Sequence, residues 1–248
     1  MTSTSETGHA KNVANLDALI SSVIGFGTAY NPSKSSIQVT ALQSLSADAK
    51  NSLSTVNKAI PGYSNAVADR EVAFEPLQKL STRVLNSLKA TDASDQVIDS
   101  AKSLVRKLQG RRATPKKTEA EMTALAAEGT VVKQISTSQL SFDSQLNTFD
   151  QLIQLLDSIT LYAPNETDLK VSALTAMYTD LAAKNTAVLD ATVPLSNARI
   201  ARNDLFNKAD TGLVSTAADT KSYIKSVFGA NSPQYRQVSK LAFKAVKV

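Results

Sequence analysis

Apolar residues recur at alternating spacings of three and four along two long stretches, 39–74 and 171–206. This spacing places them on one face of a helix, so each stretch predicts one long helix. The face in the first stretch consists of Val39, Leu42, Ala49, Leu53, Val56, Ile60, Tyr63, Val67 and Phe74. In the second stretch it consists of Val171, Leu174, Tyr178, Leu181, Val188, Leu195 and Phe206. The chain is therefore predicted to be all-α, with coiled-coil-like long helices as its main elements.

The two stretches also match each other residue by residue at a constant offset of 132. The identical pairs are Val39/Val171, Ala41/Ala173, Leu42/Leu174, Asp48/Asp180, Val56/Val188, Ala59/Ala191, Ser64/Ser196, Asn65/Asn197, Ala66/Ala198, Arg70/Arg202 and Phe74/Phe206. Tyr30 and Pro32 match Tyr162 and Pro164 in the same way. We interpret the match as an internal duplication, which predicts a bundle of two pseudo-symmetric copies packed together.

The duplication sets the predicted domain boundaries. Residues 1–13 are polar and form a tail, and residues 14–110 form the first helical repeat. Residues 111–141 form a basic, partly flexible linker with a short helix at 119–128, and residues 142–248 form the second repeat.

Prolines and caps indicate where helices end. Pro61-Gly62 predicts a break in the first long helix, whereas Pro194 has no glycine beside it and predicts a kink in a continuous second helix. Gly229 predicts a helix end, and Ser232-Pro233 predicts the start of a last helix that continues to Phe243.

Composition removes several kinds of chemistry. The chain has no cysteine and only one histidine, so it lacks disulfides, thiolate metal ligands and the residues of the usual nucleophilic triads. His9 lies in the predicted tail, where a solvated imidazole is the expected state. We therefore expect a protein that is not an enzyme and needs no cofactor.

The amino-terminal residues do not resemble a secretory signal, and the most apolar run, residues 16–30, carries Asp17 and is too short to cross a bilayer. The expected location is the cytoplasm, with no membrane contact.

Two sets of residues are candidate binding sites. Ser64-Asn65-Ala66 with Arg70 recurs as Ser196-Asn197-Ala198 with Arg202. Asn65, Arg70, Asn197 and Arg202 could bind an anion, but we favour a role in fixing helix register, because polar residues in helical seams have that role elsewhere.

The second set is basic and belongs to the linker. Its members are Arg106, Lys107, Arg111, Arg112, Lys116 and Lys117. They are candidate phosphate contacts, and a second group of basic residues, from Lys221 to Lys247, could join them.

Four runs suggest a family: YAPNETDLKVSAL, LSNARIARN, SQLSFDSQLNTFDQLI and DTGLVSTAADTKSYIKSVFGANSPQYRQVSKLAFK. They resemble an uncharacterised group of helical proteins of Bacteroidetes-type bacteria. The resemblance covers the second repeat best, and it implies a helical fold without an activity or site residues.

Three functions remain open. The favoured hypothesis is a non-enzymatic structural or protein-interaction protein that binds a protein partner or itself as a homo-oligomer. The first alternative is a nucleic-acid-associated protein that binds phosphates through the basic linker and the C-terminal basic residues, which is less favoured because positive and negative charges nearly balance in each half. The second alternative, ranked last, is an enzyme or small-ligand carrier with a pocket between the repeats, around Arg70 and Arg202.

Overall fold

The fold is taken from a computed structural model, and the structure describes residues 8–111, 118, 119, 123, 127 and 140–246. Within these residues it is all-α and contains no strand, as the periodicity predicted. The helices are α1 (His9–Gly25), α2 (Val39–Phe74), α3 (Leu77–Lys89), α4 (Asp95–Leu108), α5 (Phe142–Asp157), α6 (Val171–Asn207), α7 (Leu213–Phe228) and α8 (Pro233–Ser239). Short 3₁₀ turns occur at Gly27–Ala29, Ser35–Ile37 and Thr167–Leu169.

The two long helices coincide with the predicted stretches to within one residue. Pro61 lies inside α2 and Pro194 lies inside α6, and both helices continue through their prolines. The predicted break at Pro61-Gly62 is therefore wrong. Proline has no amide hydrogen, so the Asn57 carbonyl, four residues before Pro61, lacks its helical hydrogen-bond donor. Both residues are exposed, so water can donate to this carbonyl and the helix continues.

Serine caps and a glycine set several helix ends. The Ser232 hydroxyl accepts a hydrogen bond from the Tyr235 amide at 3.1 Å, and Pro233 is the first residue of α8. Ser141 caps α5 in the same way. Gly229 follows α7 with φ +87°, a conformation that favours glycine, so the predicted end of this helix is confirmed.

Two predicted ends need correction. Helix α1 begins at His9, so the polar tail does not reach residue 13. Helix α8 ends at Ser239, and residues 240–246 are not helical although the helix was predicted to reach Phe243. The backbone of these residues finds partners in side chains of other helices, which removes the need for helical hydrogen bonds.

The predicted linker falls mostly on residues outside the described part of the chain. The short helix predicted at 119–128 shares this position, and of its residues only 119, 123 and 127 are described.

The described helices form two compact units. The first unit combines residues 1–64 with residues 191–248. In it α7 packs on α1, on α8 and on the turn Ser35–Ile37, and α1 also packs on α8. Its core is apolar and includes Leu16, Leu19, Leu42, Phe206, Leu213 and Ile224.

The second unit consists of residues 65–190. In it α3 packs on α4 and on the turn Thr167–Leu169, and α4 packs on α5. Its core includes Leu77, Leu88, Leu108, Phe149, Leu152 and Leu174. Each unit therefore joins the opening elements of one predicted repeat to the closing helices of the other, and the units do not follow the predicted boundaries 14–110 and 142–248.

The opening segments of the two predicted repeats each contain a buried tyrosine hydrogen bond. The Tyr30 hydroxyl donates to the Ile37 carbonyl at 2.5 Å, and the Tyr162 hydroxyl donates to the Leu169 carbonyl at 2.8 Å. Each bond closes a loop around a 3₁₀ turn. Burial raises the pKa of Tyr30 to about 12 and also raises the pKa of Tyr162, so both hydroxyls remain donors at neutral pH.

Candidate functional site

Arg70 lies at the centre of a polar and aromatic cluster in the second unit. Its guanidinium carbon is 4.0 Å from the centroid of the Phe142 ring. One of its terminal nitrogens donates to Asn185 Oδ1 at 3.0 Å, and Asn185 Nδ2 donates to Asp143 Oδ1 at 2.7 Å. An aromatic face and an amide of the chain itself therefore contact this cation, and the amide links it to the exposed carboxylate of Asp143. The Arg70 Nε is buried and has no hydrogen-bond partner within the described residues.

Local structure explains how this Arg70 cluster forms. Arg70 and Phe74 are four residues apart on α2 and so face the same side of the helix. Phe142 is the first residue of α5, directly after the capping Ser141. Its ring meets the Phe74 ring edge-on at 4.8 Å, so Phe142 packs against both side chains.

The first unit has a similar cluster around Arg202, which we name the His9 cluster. His9, the first residue of α1, meets Phe206 edge-on at a centroid distance of 4.7 Å. The Arg202 guanidinium donates twice to Asn203 Oδ1, at 2.9 and 3.2 Å. Position 53, which matches Asn185 at the offset of 132, is Leu53, so no amide occupies the matching position.

The environment of His9 disfavours its charge. Both ring nitrogens are buried and have no hydrogen-bond partner within the described residues. The pKa of His9 is lowered, first by this burial and second by the positive charge of Arg202. The expectation of a solvated tail histidine is wrong, because α1 starts at His9 and carries the ring into the packed helices.

Asn65 and Asn197 do not join these clusters. Both side chains are exposed, whereas Arg70 and Arg202 are half-buried. Five residues on a helix turn the side-chain direction by about 140°, so the asparagine and the arginine of each predicted constellation point to different sides.

Sequence reasoning missed Asn185, Asp143, Phe142 and the packing of His9. A signal for Asn185 was present, since it is a polar residue at a core-facing position of α6, where it is 9% exposed. Phe142 and Asp143 gave no signal, because their role depends on how α5 packs.

The basic residues at the end of α4 lie only partly within the described chain. Arg106 donates to Ser103 at 3.3 Å, while Lys107 and Arg111 are exposed. Arg112, Lys116 and Lys117 lie outside the described residues. An open cleft of about 340 Å³ adjoins this end of α4. Its lining residues are Gln78, Lys79, Thr82, Gln109 and Arg111.

Lys221 and Lys225, two of the basic residues predicted to help with phosphates, have contacts of their own. Lys221 Nζ donates to the carbonyls of Ser239 and Leu241, at 3.0 Å each, and burial lowers the pKa of Lys221. Lys225 lies 5.8 Å from the centroid of the Tyr235 ring. The Lys221 ammonium is therefore held by backbone carbonyls, whereas Lys225 is exposed.

Asparagine side chains of α1 bind the backbone of residues 240–246. Asn12 Nδ2 donates to the Lys244 carbonyl at 2.8 Å, and Asn12 Oδ1 accepts from the Lys244 amide at 3.2 Å. Asn15 Nδ2 donates to the Ala242 carbonyl at 2.6 Å. Both asparagines are buried, and sequence reasoning did not identify them.

Within the described residues, no group of three histidine or acidic side chains is arranged to hold a metal ion. Over the same residues, no helix combines the length and the apolar character that a membrane span requires. No protein-family model matches this chain, and no curated protein or solved structure matches it significantly. The resemblance to the bacterial helical group therefore stays a prediction.

Proposed function

We propose that the protein is a non-enzymatic, structural or protein-interaction helical protein, built from two copies of one ancestral helical unit. The observation that carries this proposal is the reciprocal construction of the two compact units. In the first unit α1 packs with α7 and α8, and in the second α5 packs with α4. Each predicted repeat thus supplies the closing helices for the opening of the other.

Matched details support common descent of the two repeats. The turns Ser35–Ile37 and Thr167–Leu169 lie at the sequence offset of 132, and each is spanned by a tyrosine hydrogen bond. The rings at the first positions of α1 and α5 each meet a phenylalanine edge-on, with the same interplanar angle of 75°.

The Arg70 cluster supports a structural role over anion binding. The Arg70 guanidinium packs on Phe142 and bonds to Asn185, which in turn bonds to Asp143. An incoming anion would have to compete with these contacts. The clefts at α1, at α3 and at the end of α4 are lined by residues other than Arg70 and Arg202.

An exposed face of α6 supports an interaction role. Val193 is 59% exposed and Ile200 is 55% exposed. They are seven residues apart, which places them on the same side of the helix. Exposed apolar positions that share one helix face are a common feature of protein interfaces.

In-cell crosslinking followed by sedimentation of the purified protein tests this function. We expect crosslinks to a protein partner or to a second copy, and we expect Val193→Ser with Ile200→Ser to remove them while the helical signal stays unchanged. Asp48→Ser with Asp180→Ser, on exposed positions of both long helices, is the matched control. A protein that remains a monomer and forms no crosslinks in the cell would refute the proposal.

One observation favours a second candidate function, phosphate or nucleic-acid binding. Lys79 and Arg111 line the same open cleft with the amides of Gln78 and Gln109 and the hydroxyl of Thr82. Two cations beside one cleft suit a phosphate group, although the Gln109 amide already donates to Thr82 and the Thr82 hydroxyl to the Gln78 carbonyl. Binding of a fluorescent single-stranded oligonucleotide at two salt concentrations tests this candidate, since phosphate binding weakens steeply with salt. No binding at low salt would eliminate it.

A further inference from the structure

Residues 240–246 are held in the first unit mainly through their backbone. Asn12 forms two hydrogen bonds with Lys244, one to its carbonyl and one from its amide, and Asn15 donates to the Ala242 carbonyl. Asn207 donates to the Val246 carbonyl at 3.3 Å. The carbonyls that asparagine side chains bind belong to residues 242, 244 and 246, alternate positions as in an extended chain, while the Leu241 carbonyl accepts from Lys221.

The side chains of residues 241–244 alternate as well. Leu241 and Phe243 pack against the core of the first unit, whereas Ala242 and Lys244 are exposed. Hydrogen bonds to a peptide backbone do not depend on the side chains of the peptide. Apolar contacts at alternate positions then determine which peptide sequence binds. This division of roles is typical of sites that bind extended peptides.

The groove along α1 is longer than the segment that lies in it. Beyond Leu241 an open cleft of about 570 Å³ continues beside Ala18, Ser22, Gly25 and Phe26. Of residues 240–246 only Leu241 lines this cleft, and Gln237 of α8 lines it too, because the chain before the segment is helical and ends at Ser239. Lys221 bonds to the carbonyls of Ser239 and Leu241, on either side of the point where the helix gives way to the extended segment.

We propose that the face of α1 carrying Asn12 and Asn15 is a binding site for an extended peptide with apolar residues at alternate positions, and that residues 240–246 are its intramolecular ligand. An external peptide with further residues on its amino-terminal side would also fill the cleft beside Ser22 and Phe26. The proposal rests on the proposed interaction function, because it names the class of partner.

The test uses a fluorescent peptide with the sequence of residues 241–246, LAFKAV, and the full chain carrying Leu241→Ser and Phe243→Ser. These substitutions weaken the resident segment and leave the α1 side of the groove, with Asn12 and Asn15, unchanged. We expect the peptide to bind this variant at least tenfold more tightly than it binds the unaltered chain, where the resident segment competes. A variant that unfolds cooperatively and does not bind the peptide overturns the proposal.

Two controls test recognition through the asparagines. Adding Asn12→Ala and Asn15→Ala to the variant should weaken binding at least tenfold. A peptide methylated on the backbone nitrogen of its lysine lacks the amide hydrogen that bonds to Asn12 Oδ1. It should also bind at least tenfold more weakly. Equal binding in either comparison overturns the proposed recognition.

A measurement on the unaltered chain covers the case in which the variant does not fold. The Lys244 amide should be protected from hydrogen exchange, and an excess of the unlabelled peptide should reduce its protection severalfold. Protection that does not change at saturating peptide overturns the proposal. A chain that binds the peptide, yet is monomeric and uncrosslinked in the cell, refutes the proposed function and leaves this site intact.

Discussion

The ring of His9 meets the ring of Phe206 edge-on, with the two centroids 4.7 Å apart. Phe142 and Phe74 have the same relationship in the second unit, at 4.8 Å. Position 9 therefore holds a titratable ring where the other unit has an apolar one. The consequence is a stability that depends on pH.

We expect acidification to destabilise the protein through His9. Its pKa is lower in the folded chain than in the unfolded chain because its ring is buried and, second, because Arg202 is near. The unfolded chain then binds the proton more readily, so the stabilising contribution of neutral His9 is complete above about pH 6.5 and is lost as the pH falls from there through the folded pKa.

The change that isolates this effect is His9→Phe, which copies position 142. Thermal melts of the variant should depend less on pH below about 6.5 than melts of the unaltered chain. If both proteins show the same slope of melting temperature against pH, His9 is not the group responsible.

Asn185 should matter more for stability than Asn203, although each accepts from an arginine. Asn185 is buried and accepts from the half-buried Arg70, so Asn185→Ala leaves that guanidinium nitrogen without its acceptor and should lower the free energy of unfolding by about 1–3 kcal/mol. Asn203 is only half-buried and accepts from its neighbour Arg202, so Asn203→Ala should cost less. Denaturant unfolding measures the stability of both variants. Equal decreases in unfolding free energy would show that the Arg70 cluster does not stabilise the protein more than the Arg202–Asn203 pair does.

Tyr30→Phe and Tyr162→Phe should destabilise the chain by similar amounts. Each substitution removes a buried hydroxyl and leaves the carbonyl of Ile37 or Leu169 without that donor, which costs about 1–2 kcal/mol. Tyr63→Phe serves as control, because the Tyr63 hydroxyl has no hydrogen bond to the described residues. If chemical denaturation gives losses of unfolding free energy that differ severalfold between Tyr30→Phe and Tyr162→Phe, the two tyrosine hydrogen bonds do not have equivalent roles.

Two glycines should respond to alanine in opposite directions. Gly62 is helical and exposed, and a Cβ there would meet no atom within 4 Å, so Gly62→Ala should stabilise the protein by about 0.5–1 kcal/mol. Gly110 ends α4 with φ +66°, and a Cβ there would lie 2.7 Å from Leu140 Cδ1. Gly110→Ala should therefore destabilise it, by about 1 kcal/mol or more. Melting temperatures that move in the same direction would contradict this assignment.

The sequence predicted the helical elements well where the signal was local. Apolar spacing located α2 and α6, and Ser232-Pro233 located the start of α8. The prediction failed at Pro61, because propensity alone does not say whether water can reach the carbonyl that the proline leaves free.

Features that depend on tertiary partners could not be predicted. Residues 241–246 are not helical, because Asn12 and Asn15, more than 200 positions earlier, supply hydrogen bonds to their backbone. The alternation of Leu241 and Phe243 was the local signal for this conformation. Similarly, the pattern located both long helices but did not indicate that each repeat would pack its closing helices on the opening of the other.

Fragment complementation tests this reciprocal construction most directly. Fragments 1–111 and 140–248 should each show weak helicity and no cooperative melting alone, because each compact unit needs residues from both. Mixed at equal concentrations, they should associate and recover a cooperative thermal transition by circular dichroism. Two fragments that each fold cooperatively alone, and do not associate when mixed, would contradict the account.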